Sequence, residues 1–187
     1  MPTWKVEIEY DGTRYRGWRI EHNQRTVQGE MMVVARQLFA SRVEIVAAEN
    51  TETGVHARSN ILHIKAAELT VDITPRQVMQ GFNDLLPHDI NILKVLNTDD
   101  AFQAWKDATA RQYLYQISTR RTAFAKNFVW WNKDKINVGE MKNAAELLKG
   151  KQNLISFAEI DDAKKAPTNV FIDSSEVAVA EDKNICR

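Results

Sequence analysis

The sequence has little cysteine, no excess of either charge and no long apolar run. Its one cysteine, Cys186, has no partner for an internal disulfide, which indicates a reducing compartment. Lysine plus arginine and aspartate plus glutamate number 25 each, so net charge favours no particular partner. No apolar stretch approaches the length of a membrane span or a signal-peptide core. We therefore expect a soluble cytoplasmic protein without a membrane partner, or an organellar one that has lost its targeting segment.

The sequence does contain enough apolar residues for a core, arranged in alternating and helical patterns. With 44% of its 187 residues hydrophobic, the chain can form one large domain or two small ones, which excludes disordered and collagen-like classes. The first half predicts four strands, near residues 4–10, 43–47, 62–64 and 90–95. Helices are predicted after Thr26 and after Thr74, because each hydroxyl can cap an apolar stripe, and Pro87 ends the second helix.

These elements predict a repeated architecture. The order β-α-β-β-α-β is typical of a ferredoxin-like unit with an antiparallel sheet and two helices on one face. The pattern begins again near residue 100, with a strand near 111–117, a helix near 138–149 ended by Gly150, a strand near 170–172 and a further strand from Val177. We predict an α+β fold of two ferredoxin-like halves with antiparallel sheets, residues 1–98 and 99–187, the second half incomplete.

The polar segment 49–57, between the second and third strands, is a candidate site. A loop between two strands of a rigid scaffold can present polar side chains to a ligand. A solvated turn, with Gly54 in an unusual backbone conformation, also explains this segment on local sequence alone. His56 has no second histidine or cysteine at metal-ligand spacing, so we predict no metal site and consider His56 a structural hydrogen-bonding residue on these terms.

Three motifs resemble those of one known family. The first consists of Glu9 to Trp18, E-Y-D-G-T-R-Y-R-G-W, followed by Thr26 to Glu30, T-V-Q-G-E. The second is E-N-T-E-T-G-V-H-A at 49–57, which is similar to the family's G-R-T-D-A-G-V-H-A. The third, Phe102 to Tyr115, resembles F-H-A-R-x-x-A-x-x-R-x-Y-x-Y. In this order and over essentially the whole chain, the motifs resemble those of the TruA-type tRNA pseudouridine synthases.

The resemblance implies an isomerase that flips a uridine out of tRNA or another structured RNA, breaks its bond from ribose to N1 and rejoins the uracil through C5. It implies no metal and no organic cofactor. Glu52 matches the essential carboxylate, a group that acts as nucleophile or base, and Tyr113 matches the active-site tyrosine. An aromatic face helps to hold an extruded base. By the same resemblance, the expected RNA-binding residues are Asn50, Thr51, His56, Arg14, Arg16 and Arg111.

The chain departs from the family's pattern mainly by losing positive charge. Glu52 has one methylene more than the motif's aspartate, and misplacing a catalytic group by about 1 Å costs roughly a hundredfold in rate. Basic residues of the motifs are replaced at Asn50, Gln103, Trp105 and, after Pro167, Asn169. An arginine that is lost from the RNA-facing cleft removes a phosphate contact. The family also continues with an apolar motif ending in M-V-R-N, of which residues 184–187 are at most the start.

Two functions follow from these motifs, and a third is disfavoured. The altered loop favours an RNA-binding protein of the family with weak or lost catalysis, acting as a homodimer or paired with an intact synthase. The alternative is an active tRNA pseudouridine synthase that uses Glu52 as its carboxylate and stacks Tyr113 on the target base. A binder of the RRM type is disfavoured, because residues 60–65 lack the aromatic pattern of the RNP1 strand.

Overall fold

The structure, a computed structural model, describes residues 1–67, 69, 71–157 and 168–180. The chain divides into two compact units, Met1–Leu114 and Tyr115–Arg187. The strands of the first unit are β1 (Thr3–Tyr10), β2 (Val43–Ala47), β3 (Ala57–Ala66) and β4 (Ile90–Asn97). Its helices are α1 (Val27–Phe39), α2 (Pro75–Leu85) and the short α3 (Ala104–Asp107). The assignment of residues 1–98 and 99–187 to two halves stays a prediction, and the first compact unit extends past it because α3 packs on the sheet.

The first unit has the predicted β-α-β-β-α-β order. Its four strands form one sheet in the order β2-β3-β1-β4, and every neighbouring pair is antiparallel. In the middle of the sheet Val6 of β1 lies opposite Leu62 of β3 and Val95 of β4. The predicted α+β fold with an antiparallel sheet is confirmed.

The core lies between the sheet and helices α1 and α2. Alternation along β1 places Val6 and Ile8 on the covered face, where both are fully buried. The Trp4 ring stacks on Phe39 with the ring centroids 5.3 Å apart, and Phe82 lies 6.0 Å from Phe39. The helices complete this layer with the buried side chains of Met31, Val34, Ala35 and Val78. Apolar residues at helical spacing thus meet the alternating face of the sheet.

Side-chain caps explain where the two long helices begin, and Pro87 explains where the second one ends. The Thr26 hydroxyl accepts a backbone N–H of the first turn of α1 at 3.2 Å. In α2 the Gln77 N–H donates to the Thr74 hydroxyl at 3.3 Å, while the Thr74 N–H donates to the Gln77 side chain at 2.9 Å. Leu86 is extended, as expected for a residue before a proline, so the helix ends ahead of Pro87. The predicted start of both helices is confirmed.

A buried histidine fixes α3 to the other face of the sheet. The Ala104 N–H donates to His63 Nδ1 at 3.1 Å, and the Phe102 ring lies edge-on to the imidazole with centroids 6.3 Å apart. The Nε2 atom is buried, and Glu44 is 3.8 Å away, which is too far for a hydrogen bond. Burial lowers the pKa of His63, the charge of Lys65 lowers it further, and Glu44 opposes the shift only in part. His63 therefore holds α3 as a neutral side chain.

This arrangement predicts that stability decreases in mild acid. In the unfolded chain His63 has a pKa of about 6.5. Its pKa is lower in the folded state. As the pH falls, the unfolded state therefore binds the proton first. The contribution of neutral His63 to the free energy of unfolding is complete above about pH 6.5 and is lost as the pH falls toward the folded pKa. Urea unfolding at a series of pH values should show this loss in the wild type and a smaller one in His63→Asn, whose side-chain oxygen can still accept from Ala104. Equal pH profiles would contradict the assignment.

The second unit consists of two small sheets and one helix within its described residues. Strands β5 (Ile117–Ser118) and β6 (Trp130–Trp131) pair in parallel. The helix α4 (Val138–Leu147) begins at the Asn137 side chain, which accepts the Glu140 N–H at 3.2 Å. Strands β7 (Gly150–Asn153) and β8 (Asn169–Ile172) pair antiparallel. The predicted helix and the strand near 170–172 are therefore present.

Three expectations for this region are wrong. Residues 111–116 form no strand, and only Ile117 at the end of the predicted segment enters β5. Arg111, which belongs to the first unit, instead contacts residues 48 and 49 through its side chain. No strand begins at Val177 within the described residues 177–180. The strands β6 and β7 were not predicted; β7 begins at Gly150, whose φ of +84° ends the helical segment. The parallel pairing of β5 and β6 also differs from the expected antiparallel sheet.

Some predictions concern residues outside the described part of the chain. Pro167, Cys186 and the segment 184–187 belong to this group. Among the helices that the structure describes, none is long and apolar enough to cross a membrane.

Candidate active site

The loop between β2 and β3 is held in place by the segment that follows β1. The Trp18 N–H donates to the Thr51 carbonyl at 2.9 Å, and the Gly54 N–H donates to the Tyr15 carbonyl at 3.2 Å. A hydrogen bond of 2.7 Å also joins the Tyr10 and Thr51 hydroxyls. The first sequence motif therefore positions the second.

Glycine is required where these two segments meet. A Cβ on Gly12 would lie 2.0 Å from the Val55 carbonyl oxygen, and one on Gly17 would lie 2.6 Å from the Thr51 carbonyl oxygen. Gly17 also has a φ of +87°, a conformation that side chains disfavour. Backbone lies against backbone at both positions, so neither neighbour can move aside cheaply.

Buried aromatic residues anchor the segment that follows β1. Trp18 packs against Tyr10 with ring centroids 6.0 Å apart, and both rings are buried. The Tyr15 hydroxyl donates to Asp89 at 2.5 Å, and Arg25 donates to the same hydroxyl at 3.2 Å. Burial and the hydrogen bond to Asp89 raise the pKa of Tyr15. The segment after β1 is therefore held in place at Tyr15 and at Trp18, the two residues whose backbones bond to the loop.

The loop presents its predicted catalytic carboxylate to solvent. Glu52 and Asn50 are exposed, while Thr51 between them is half-buried. The Val55 N–H donates to the Glu52 carbonyl at 3.1 Å, which closes a tight turn, and Gly54 has a φ of +78° as the turn requires. Within the part of the chain that the structure describes, the Glu52 carboxylate makes no hydrogen bond or ion pair.

The predicted RNA-binding arginines of the first motif lie on the same support. Arg14 and Arg16 are both exposed and flank Tyr15, whose carbonyl accepts from the loop at Gly54. The two arginines therefore lie on the segment after β1 that is hydrogen-bonded to the Glu52 loop.

His56 closes the corner between the loop and the end of β1. Its Nδ1 atom is 3.1 Å from the Gly12 nitrogen and 3.0 Å from Asp11 Oδ1. The two contacts need different protonation states, because a neutral imidazole accepts from Gly12 at Nδ1 and only a ring protonated there donates to Asp11. Burial raises the pKa of Asp11, but hydrogen bonds from Thr13 and the charge of His56 outweigh it and leave that pKa lowered. His56 thus has the structural contacts expected from local sequence.

Glu49, which sequence reasoning did not select, brings the third motif to the loop. Its Oε2 atom is 2.5 Å from Arg111 Nε, and Arg111 Nη2 donates to the Ala48 carbonyl at 3.0 Å. Burial raises the pKa of the Tyr113 phenol, the charge and hydrogen bonding of Glu49 raise it further, and Arg111 opposes them. The Tyr113 residue is nevertheless 73% exposed. The sequence does contain one signal that could have identified Glu49: it replaces the first glycine of the family's G-R-T-D motif.

The site can therefore offer two carboxylates, an exposed phenol and several guanidinium groups, one of which is already paired. Among the described residues, no group of three or more histidine, cysteine, aspartate or glutamate side chains could hold a metal ion. Glu52 is available to a solvent-borne ligand, whereas Glu49 is engaged with Arg111.

Comparison with known proteins identifies the family. The chain is 35% identical over 159 residues to tRNA pseudouridine synthase A of Xanthobacter autotrophicus, which covers 84% of the chain and 64% of that protein. It is 31% identical over 169 residues to tRNA pseudouridine synthase A 2 of Bacillus cereus, which covers 89% and 68%. It is 32% identical over 173 residues to tRNA pseudouridine synthase A of Dictyoglomus turgidum, which covers 91% and 70%. No family model matches the chain.

The chain therefore belongs to the TruA-type tRNA pseudouridine synthase family, as its motifs predicted. It spans 64 to 70% of the length of these relatives.

Two glycine substitutions distinguish close approach from backbone strain. In Gly12→Ala the new methyl would lie 2.0 Å from the Val55 carbonyl oxygen, so we expect the free energy of unfolding to fall by about 3 kcal/mol or more. In Gly54→Ala no atom lies within 4 Å of the new methyl, and only the positive φ is unfavourable, so a loss of about 1 kcal/mol is expected. Urea unfolding measures both values. Similar losses for the two variants would contradict the close approach.

Proposed function

We propose that the chain is a cytoplasmic RNA-binding protein of this family that binds tRNA or another structured RNA and forms pseudouridine weakly or not at all. The observation that carries this proposal is the pairing of Arg111 with Glu49, at a nitrogen-to-oxygen distance of 2.5 Å. The arginine that matches the third motif is neutralised inside the protein, while the second motif supplies Asn50 in place of a cation. RNA phosphates therefore meet a weaker positive field than the family's motifs would provide.

The altered carboxylate supports weak catalysis for a separate reason. Pseudouridine formation breaks the bond between ribose C1′ and uracil N1, joins C1′ to C5 and removes the C5 proton. The motif's carboxylate has to reach the sugar or the proton at a defined position. Because hydrogen bonds at Thr51 and Gly54 hold the loop backbone, the extra methylene of Glu52 is not readily absorbed by a backbone shift. Asn50 also leaves Glu52 without a neighbouring arginine to orient it.

RNA contact in this proposal uses the exposed side chains around the loop. Arg14 and Arg16 meet phosphates, Tyr113 stacks on an extruded base, and Asn50, Thr51 and His56 contribute polar contacts at the loop itself. The relatives are named for action on tRNA, which makes tRNA the first RNA to test. A homodimer, or a pairing with an intact synthase, is part of the proposal, and sedimentation of the chain alone and mixed with such a synthase tests it.

An active synthase is the second candidate, and the exposure of its key side chains favours it. The Glu52 carboxylate lies open to solvent on a well-supported turn, and Tyr113 is 73% exposed in the same unit. In this case Glu52 acts as the catalytic carboxylate and Tyr113 stacks on the target uridine. A small change in the loop would then compensate for the longer side chain.

Release of tritium from RNA labelled at uracil C5 distinguishes the two candidates. We expect no detectable release by the wild type and little by Glu52→Asp, which restores the carboxylate length without the arginine beside it. The double variant Glu52→Asp with Asn50→Arg should be the first to show activity, because residues that act as one catalytic unit contribute non-additively. Each variant is assayed alone and with the remaining segment of a relative added in trans. An active wild type that Glu52→Ala inactivates would establish the second candidate instead.

Binding of tRNA should be weaker and less salt-dependent than that of an intact synthase. Each missing or neutralised arginine removes a phosphate contact together with the release of counterions that accompanies it. Titrations of tRNA with the chain at several salt concentrations, beside an intact synthase as the control, measure both the affinity and its salt dependence. Nanomolar affinity at physiological salt would contradict the proposal.

A further inference from the structure

We propose that Glu49 is an internal competitor for RNA phosphate, which occupies Arg111 in the free protein and thereby sets how tightly the site binds RNA. The inference rests on the proposed RNA-binding function and adds a residue that limits it. Glu49 stands where the family's motif has glycine, so the competing carboxylate is a feature of this chain rather than of the motif.

The contact geometry is that of an anion bound by a guanidinium. Arg111 Nε lies 2.5 Å from Glu49 Oε2, and Arg111 Nη2 donates to the Ala48 carbonyl at 3.0 Å. A guanidinium recognises carboxylate and phosphate with the same planar array of N–H donors. Two of the directions in which Arg111 could bind a phosphate are therefore already satisfied by residues 48 and 49.

The backbone at Glu49 is fixed, which keeps the carboxylate within reach of Arg111. The Ala48 N–H donates to the Ile61 carbonyl at 2.6 Å, and the Asn60 side chain donates to the Glu49 carbonyl at 2.9 Å. Asn60 is itself buried and also donates to the Tyr10 hydroxyl at 3.3 Å. Glu49 thus projects from a supported position at the end of β2, and its side chain needs little reordering to pair with Arg111.

The pair is accessible to an incoming phosphate. The side chains of Arg111 and Glu49 are 40% and 36% exposed, so water and salt weaken their attraction. A phosphate of RNA can therefore displace the carboxylate, and Glu49 lowers affinity without abolishing binding. The same displacement would remove the carboxylate from Tyr113, whose pKa it raises.

The salt dependence of tRNA binding tests the competition. Glu49→Gln keeps the side-chain size, removes the charge and frees Arg111 for one more phosphate. Its plot of log affinity against log salt should be steeper than the wild type's by up to about 0.9, the increment for one phosphate contact, because in the wild type the carboxylate keeps Arg111 from the phosphate in part of the complexes. The double variant Glu49→Gln with Arg111→Gln should lose this gain. The matched control is Glu146→Gln, which makes the same change in charge and frees Lys149 from a 2.6 Å ion pair at the end of α4. An equal steepening in the control would overturn the inference.

A second readout separates this inference from the proposed function. The Nε–H resonance of Arg111 in nitrogen-15-labelled protein is followed while inorganic pyrophosphate is added. Glu49→Gln should respond at an at least several-fold lower pyrophosphate concentration than the wild type. If no variant binds tRNA, the proposed RNA-binding function fails, and the pyrophosphate titration still decides the role of Glu49. Identical responses of wild type and Glu49→Gln would overturn that role, whatever the tRNA result.

Discussion

The approach of one backbone segment to another at Gly12 and Gly17 is the constraint on which the candidate site depends. Both positions lie against carbonyl oxygens of the loop, so the loop's path is determined by atoms that cannot rotate away. Hydrogen bonds from Trp18 and to Tyr15 then fix its register. The side chains of the loop can consequently change without a change in its backbone. This explains how the segment keeps the G-V-H-A part of its motif while the residues before it differ.

The changed residues alter the charge of the site rather than its shape. In the family's G-R-T-D the arginine and aspartate cancel, whereas Glu49 and Glu52 here contribute two formal negative charges and Asn50 contributes none. Arg111 adds one positive charge near the loop, but this charge is paired directly with Glu49. At physiological ionic strength charges act over a Debye length of about 8 Å. Within the described residues the exposed arginines at 14 and 16 form no ion pair, and in the proposed function they are the cations of the first motif that meet RNA phosphates.

Sequence patterns predicted the parts of the fold that depend on local order. Alternation along β1 and the capping hydroxyls before α1 and α2 are local signals, and the elements they predicted are present. The segment 111–116 was predicted as a strand, because its alternation resembles one; it forms none, and its Arg111 makes a long-range contact to residues 48 and 49 that the pattern could not show. The buried role of His63 beneath α3 is equally long-range. Glu49 was visible only as a mismatch to a motif, and its partner could not be inferred without the fold.

The pairing of Glu49 with Arg111 also has a consequence for how the altered site is interpreted. A glutamate at 49 and an asparagine at 50 are neighbours in sequence, but their effects on a phosphate differ in kind: one occupies an existing cation, and the other removes a cation outright. The first effect is reversible, because an RNA of sufficient charge density can displace an exposed carboxylate, whereas the second is not. In the proposed competition the change at Glu49 thus acts through a pair that a phosphate can open, whereas the loss of charge at Asn50 can be reversed only by a substitution.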